Sequence, residues 1–167
     1  MSTIKNTNVV KGDICSISSG ILVHGCNAQG VMNSGIARQI RQMFPEAFDA
    51  YRKKYEMSGL VVGDVVFCPP TDTRAFWIAN AITQKFYGRN PNVRYVDYDG
   101  IKKSFDKIAT LAQKENLEIH FPQIGAGLGN GKWEDILPII ENSLQNCSRT
   151  LWIYAPTSKP STKQSQP

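Results

Sequence analysis

Ile21-Leu22-Val23-His24-Gly25-Cys26-Asn27-Ala28-Gln29-Gly30-Val31-Met32-Asn33-Ser34-Gly35-Ile36-Ala37-Arg38 decides the fold. A short apolar run ends in small and amide residues, crosses a loop holding Gly30 and Gly35, and re-emerges with helical spacing at Ile36, Ile40 and Met43. The pattern is strand, loop, helix. Glycine lets backbone come close to a ligand, and a helix N-terminus offers unpaired N–H groups carrying partial positive charge. The loop is therefore a candidate anion cradle, with a phosphate as its guest.

A second stretch has the same character: His120-Phe121-Pro122-Gln123-Ile124-Gly125-Ala126-Gly127-Leu128-Gly129-Asn130-Gly131-Lys132-Trp133. An apolar strand at Ile119 and Phe121 precedes the alternating glycines, and a helical pattern at Ile136, Ile140 and Leu144 follows them. The spacing matches neither the P-loop nor the dinucleotide fingerprint, and a single glycine-rich turn is weak evidence. Two of them, on matching strand-to-helix junctions, fit a ligand with two phosphates.

At 167 residues the chain suits one domain able to bury a core without staples. Cys15, Cys26, Cys68 and Cys147 lack metal-ligand spacing, and His24 and His120 are the only histidines. Free thiols in a reducing compartment follow, with no metal and no cofactor expected. There is no membrane-length apolar run and no leader pattern, so a cytoplasmic, soluble protein is expected, without membrane partners. The net charge of +5 is spread over helices rather than gathered on one face, which favours a small anionic ligand over specific nucleic-acid binding. No coiled-coil or dimer helix is visible, and a monomer is expected.

In chain order, Val9 and Val10 end a first strand at the Gly12-Asp13 turn. Asp13 is either a turn residue or a carboxylate placed to accept from an exocyclic amine such as adenine's. A helix over 35–44 gives way at Pro45 to a second one reaching Tyr55. Strands follow around Val62–Phe67 and Phe76–Ile82, the latter nearly all apolar and so central. The loop Thr83 to Asp97 is dense in Tyr, Arg, Asn and Gly, and its Lys85, Arg89 and Arg94 could reach an anion. Asp99 is predicted to cap a helix reaching Glu115, and the last helix to run from Trp133 to Gln145; with Asp135 as its N-cap, Pro138 would fall in its first turn. Thr150 to Tyr154 is the last strand, and 157–167 reads as a disordered polar tail after a domain over 1–156. The sum, β-α-α-β-β-α-β-α-β, is an α/β sandwich with a mixed, mostly parallel sheet and loops gathered at the strands' carboxyl ends.

Gly12-Asp13-Ile14, the strand ending in Asn27, Asn33-Ser34-Gly35-Ile36-Ala37 and Pro122-Gln123-Ile124-Gly125-Ala126-Gly127-Leu128, in this order, resemble the macro domain over nearly the whole chain. The strand ending His24-Gly25-Cys26-Asn27 is most similar to that of the standalone ADP-ribose 1''-phosphate phosphatases. The resemblance implies a three-layer α/β/α fold, and ADP-ribose and ADP-ribose 1''-phosphate as ligands. Asp13 and Ile14 would meet adenine, with Tyr154 and Pro156 bordering its pocket. Asn33, Ser34, Gly35, Ile36 and Ala37 would wrap the diphosphate from one side, and Gln123, Ile124, Gly125, Ala126, Gly127, Leu128 and Gly129 from the other. Asn27 would face the distal ribose. His24, with Asn27 and Ser34, would form the catalytic group of a phosphatase, because an imidazole titrates near neutral pH. Non-catalytic ADP-ribose binding and ADP-ribosyl-protein hydrolysis are the alternatives. The second is disfavoured because Gly129 stands where that branch carries an aspartate, and Ile82-Thr83-Gln84-Lys85 keeps one of its two lysines.

Overall fold

In the computed structural model, which describes residues 6–155, six strands form one sheet between two pairs of helices. Chain order is β1 (Thr7–Lys11), β2 (Ile21–Asn27), α1 (Gly35–Met43), α2 (Pro45–Ser58), β3 (Val65–Cys68), β4 (Trp77–Gln84), α3 (Tyr98–Glu115), β5 (Ile119–Phe121), α4 (Trp133–Ser143) and β6 (Arg149–Ile153). The element string expected from the sequence holds one strand too few, because β1 and β2 are separate elements. Pro156 and the polar tail over 157–167 lie outside the described residues.

Spatial order in the sheet is β1-β6-β5-β2-β4-β3. Every neighbouring pair is parallel except β3 with β4, so the sheet is mixed and mostly parallel, as expected. Alternation along β2 builds both layers. Ile21 and Val23 join Ala79, Ala81 and Phe121 against Phe105 and Ile108 of α3 and Ile136 and Ile140 of α4. Leu22 and Ile78 point the other way, onto Ile40 of α1 and Ala47 of α2. The rings of Phe105 and Phe121 meet edge to face, with centroids 5.8 Å apart.

Two helix caps differ from expectation. Asp97, not Asp99, caps α3: its side chain accepts from Gly100 N at 3.0 Å, while Asp99 pairs with Lys103 one turn on. α4 begins at Trp133, as expected, but Lys132 rather than Asp135 holds the cap position, because the N–H groups of Asp135 and Ile136 already bond back to Lys132 O. Pro138 therefore lies past the first turn, in the helix interior, where it withholds the N–H that Glu134 O would receive. α2 does open with Pro45 in its first turn, and it closes at Gly59, whose φ of 79° glycine adopts most easily.

Because β1, β2, β4, β5 and β6 run the same way, their carboxyl ends share one edge of the sheet. Among the described residues no helix is long and apolar enough to cross a membrane.

Candidate functional site

The first loop is tied down by Asn27 and Tyr51. Asn27 Nδ2 donates to Val31 O at 2.9 Å, and its Oδ1 accepts from Gln29 N at 2.9 Å. The fully buried Tyr51 of α2 donates its hydroxyl hydrogen to Asn27 O at 2.6 Å and accepts from Val31 N. The chain then turns into α1 through Ser34, whose hydroxyl makes no capping bond. The first N–H groups of α1, at Gly35, Ile36 and Ala37, have no helical acceptor.

The second loop is wound on itself and on Val96. Gly131 N donates to Gly125 O at 2.8 Å, Asn130 N to Gly127 O, and Gly129 O accepts from Tyr95 N and Val96 N. A methyl group at Gly125 or Gly131 would come within 2.7 Å of Val96, and one at Gly129 within 2.8 Å of Gly125 O. A methyl at Gly127 would meet nothing. Among the described residues, the N–H groups of Gly125, Gly127, Leu128 and Gly129 have no hydrogen-bond partner.

Both loops border one cavity of about 580 Å³. Its walls include Asn27, Asn33 through Ala37, and Gln123, Ile124, Gly125, Gly127, Leu128 and Gly129, with Thr83, Gln84, Tyr87 and Arg89. A second lobe of about 380 Å³ is formed by Gly12, Asp13, Ile14, Gln39, Trp152 and Tyr154, and shares Gly35, Ile36 and Pro122 with the first. The two lobes make one cleft along the carboxyl edge of the sheet. Trp152 is fixed from behind, its indole N–H donating to His120 Nδ1 at 2.9 Å. Asp13 does both things the sequence allows: Oδ1 accepts from Cys15 N at 2.9 Å as the cap of a 3₁₀ turn, and the carboxylate still borders the lobe.

Not every expected site residue reaches the cleft. His24 is fully buried on the α2 side of β2, away from the cavity wall. Asn80 Nδ2 donates to Ala47 O and Val66 O, so Asn80 Oδ1 is the acceptor and His24 Nε2–H the donor in the bond between them. Burial pushes the imidazole down to about 4. The ring lies off the cavity wall, so the structure does not bring it together with Asn27 and Ser34, as the catalytic reading expects. Asn27 borders the cavity; its Oδ1 and one Nδ2–H are bonded within its own loop, which leaves the second Nδ2–H without a bond there. Asn33 Oδ1 is taken by Arg41 at 3.0 Å. Ala126 alone in the run 123–129 stays off the wall, its N–H turned back to Gln123 O. Of the basic loop residues only Arg89 lines the cavity, whereas Lys85 lies over the Phe86 ring and Arg94 over Tyr98.

Sequence reasoning passed over Tyr51, Val96, Gln39 and Trp152. Their periodicity marks Tyr51 and Trp152 as core, and nothing local distinguishes a Val that braces a loop from one that fills a strand.

Such a cleft, walled by a helix N-terminus and a glycine loop at the ends of parallel strands, defines an α/β domain built to hold an extended anion. The macro domain model matches residues 23–140, and the chain belongs to that family. It is 27% identical over 153 residues to a DNA ADP-ribosyl glycohydrolase of Thermus aquaticus, covering 90% of this chain and 41% of that protein. The chain thus spans about two fifths of the length of that relative. An ADP-ribose 1''-phosphate phosphatase of Meyerozyma guilliermondii is also 27% identical, over 164 residues, covering 80% of this chain and 91% of the relative. Among solved structures, a Bacteroides thetaiotaomicron protein of unknown function superposes with a TM-score of 0.79 at 26% identity, covering 89% of this chain and 98% of that one. The Thermus aquaticus DarG macrodomain gives 0.74 at 24%, covering 90% and 99%.

The burial of His24 has a consequence for stability. Below about pH 6.5 the unfolded chain takes up a proton that the folded chain refuses until about pH 4. The stabilisation is complete above the unfolded value and is lost as pH falls through this window, by up to about 3 kcal/mol. Urea unfolding of the wild type and His24→Gln at pH 7 and pH 4.5 should show a steeper loss in the wild type. Equal slopes would mean that the imidazole is not held neutral.

Proposed function

We propose that the cleft holds ADP-ribose, with adenine in the lobe beside Asp13, the diphosphate between the two loops and the distal ribose toward Arg89, and that the chain hydrolyses ADP-ribose 1''-phosphate to ADP-ribose and phosphate. The observation that carries the reading is the meeting of unpaired N–H groups, from Gly35 to Ala37 on one side and from Gly125, Gly127, Leu128 and Gly129 on the other, around a single cavity. Backbone donors fixed by their own loops need little reorganisation when phosphate oxygens arrive.

Losing His24 from the site does not remove the chemistry. Transfer of a phosphoryl group to water passes through a loose transition state, and its catalysis is mostly positioning and charge stabilisation. Water oxygen attacks phosphorus, the bond from phosphorus to the C1'' oxygen breaks, and that oxygen leaves with a proton. The cavity supplies the Arg89 guanidinium, the uncapped Ser34 hydroxyl and the loop N–H groups. Among the described residues lining it there is no Asp, Glu, Lys or His.

A second reading, removal of ADP-ribose from DNA, is favoured by the likeness to the Thermus aquaticus glycohydrolase. Cleaving a glycosidic bond ordinarily uses carboxylates flanking the anomeric carbon, and this wall carries none. A terminal phosphate suits its one cation better.

Phosphate release from ADP-ribose 1''-phosphate and ADP-ribose release from an ADP-ribosylated oligonucleotide, measured side by side, separate the readings. Turnover of the first substrate alone is expected; turnover of the second alone reassigns the reaction, and calorimetric binding of ADP-ribose with neither makes the domain a reader.

The glycines give a sharper test of the cradle. Gly127→Val should weaken ADP-ribose binding by about tenfold or more with its melting temperature unchanged, since the new side chain enters open cavity. Gly125→Val should lose stability as well, because φ there is +81° and Val96 blocks the new carbon. Normal binding by a folded Gly127→Val protein would place the diphosphate elsewhere.

A further inference from the structure

A carboxylate alone is a poor way to choose adenine. An ionised carboxylate offers about four acceptor positions over two oxygens and readily takes two parallel donors at once. The N1–H and exocyclic NH2 of guanine form such a pair, whereas the adenine edge has one exocyclic amine flanked by ring acceptors. Asp13 by itself would thus suit guanine better than adenine.

The surroundings of Asp13 change that balance. Oδ1 accepts from Cys15 N at 2.9 Å and from Gln39 Nε2 at 3.2 Å, while Oδ2 accepts from the same Nε2 at 3.0 Å. The Gln39 amide nitrogen sits astride both oxygens, in the fork that a pair of guanine donors would need. Three of about four acceptor positions are taken, and the one left is on Oδ2. Gln39 projects from the first turns of α1, its amide must turn nitrogen toward a carboxylate, and it borders the same lobe as Asp13 and Ile14.

Building on adenine occupying this lobe, we infer that Gln39 is the base-specificity residue of the cleft: by filling the carboxylate's fork it leaves a single acceptor, which takes one amine of adenine and denies guanine its paired contact. Asp13 supplies the acceptor, and Gln39 determines how many donors can use it. Removing the Gln39 donor should open the fork and admit guanine.

Calorimetry with ADP-ribose and GDP-ribose, on the wild type, Gln39→Leu and Gln39→Met, tests this. The two ligands share every group except the base. The wild type should prefer ADP-ribose by about tenfold or more, and the variants should narrow that ratio by about tenfold, chiefly through tighter GDP-ribose binding, with unchanged melting temperatures. Two substitutions of different shape guard against one that misfolds. A ratio unchanged in folded variants overturns the inference, as does a wild type that binds both ligands equally, which leaves ADP-ribose binding standing. A wild type that binds neither ligand overturns the nucleotide reading and this inference together.

Discussion

Val96 is the post on which the site is wound. It is buried at the end of the long loop after β4, bridges to Gln84, and binds Gly129 O through its own N–H. Gly125, Gly129 and Gly131 all press against it or against one another, at approaches where any side chain would collide. These glycines are required first by packing, and the open N–H groups are the by-product: the loop bonds Ala126, Asn130 and Gly131 back onto itself and leaves the donors between them unused. Gly25 of β2 makes the same concession from beneath, since a methyl there would strike Ile124 and Thr83.

The buried end of β2 shows the opposite arrangement. His24 and Asn80 complete a polar link between the sheet and α2, in which every donor and acceptor is matched and the imidazole stays neutral. A buried polar network of this kind favours one packing of helix on sheet, because any shift would strand an unpaired group at a cost of about 1–3 kcal/mol. The strand therefore divides its work by side: the residues pointing at α2 fix the layer, and its carboxyl end hands the chain to the ligand-facing loop through Asn27.

Periodicity made the layers legible. Apolar alternation in β2 and β4 and the 3.6-residue stripe of α3 follow directly from which faces are buried, so element types and the parallel sheet could be read from residues alone. The two glycine loops were legible as a pair for the same reason, each lying between a strand and a helix. What escaped was everything set by contacts distant in sequence. His24 lies on a strand end beside the cleft, and only the register of β2 on β4, His24 opposite Asn80, shows that it turns away. The caps at Asp97 and Lys132 were misplaced by two or three residues because several acidic side chains lie near each helix start, and the bonds formed in the fold decide among them.

On the proposed reading, the two lobes discriminate by different means. At the loops, recognition is through backbone N–H groups, which fit any phosphate and are indifferent to what else the ligand carries. Such a cradle supplies attraction but no identity. At the other lobe the groups are side chains: Asp13, held by Cys15 N and Gln39, and Trp152, held by His120. Each is immobilised by a neighbouring group, so little rotamer freedom remains to be lost on binding, and a mismatched base would meet a fixed acceptor rather than one that can swing aside. On that reading the cleft is built with rigid side chains where identity is read and bare backbone where charge is carried, so the choice of base and the attraction of the diphosphate rest on different parts of the chain.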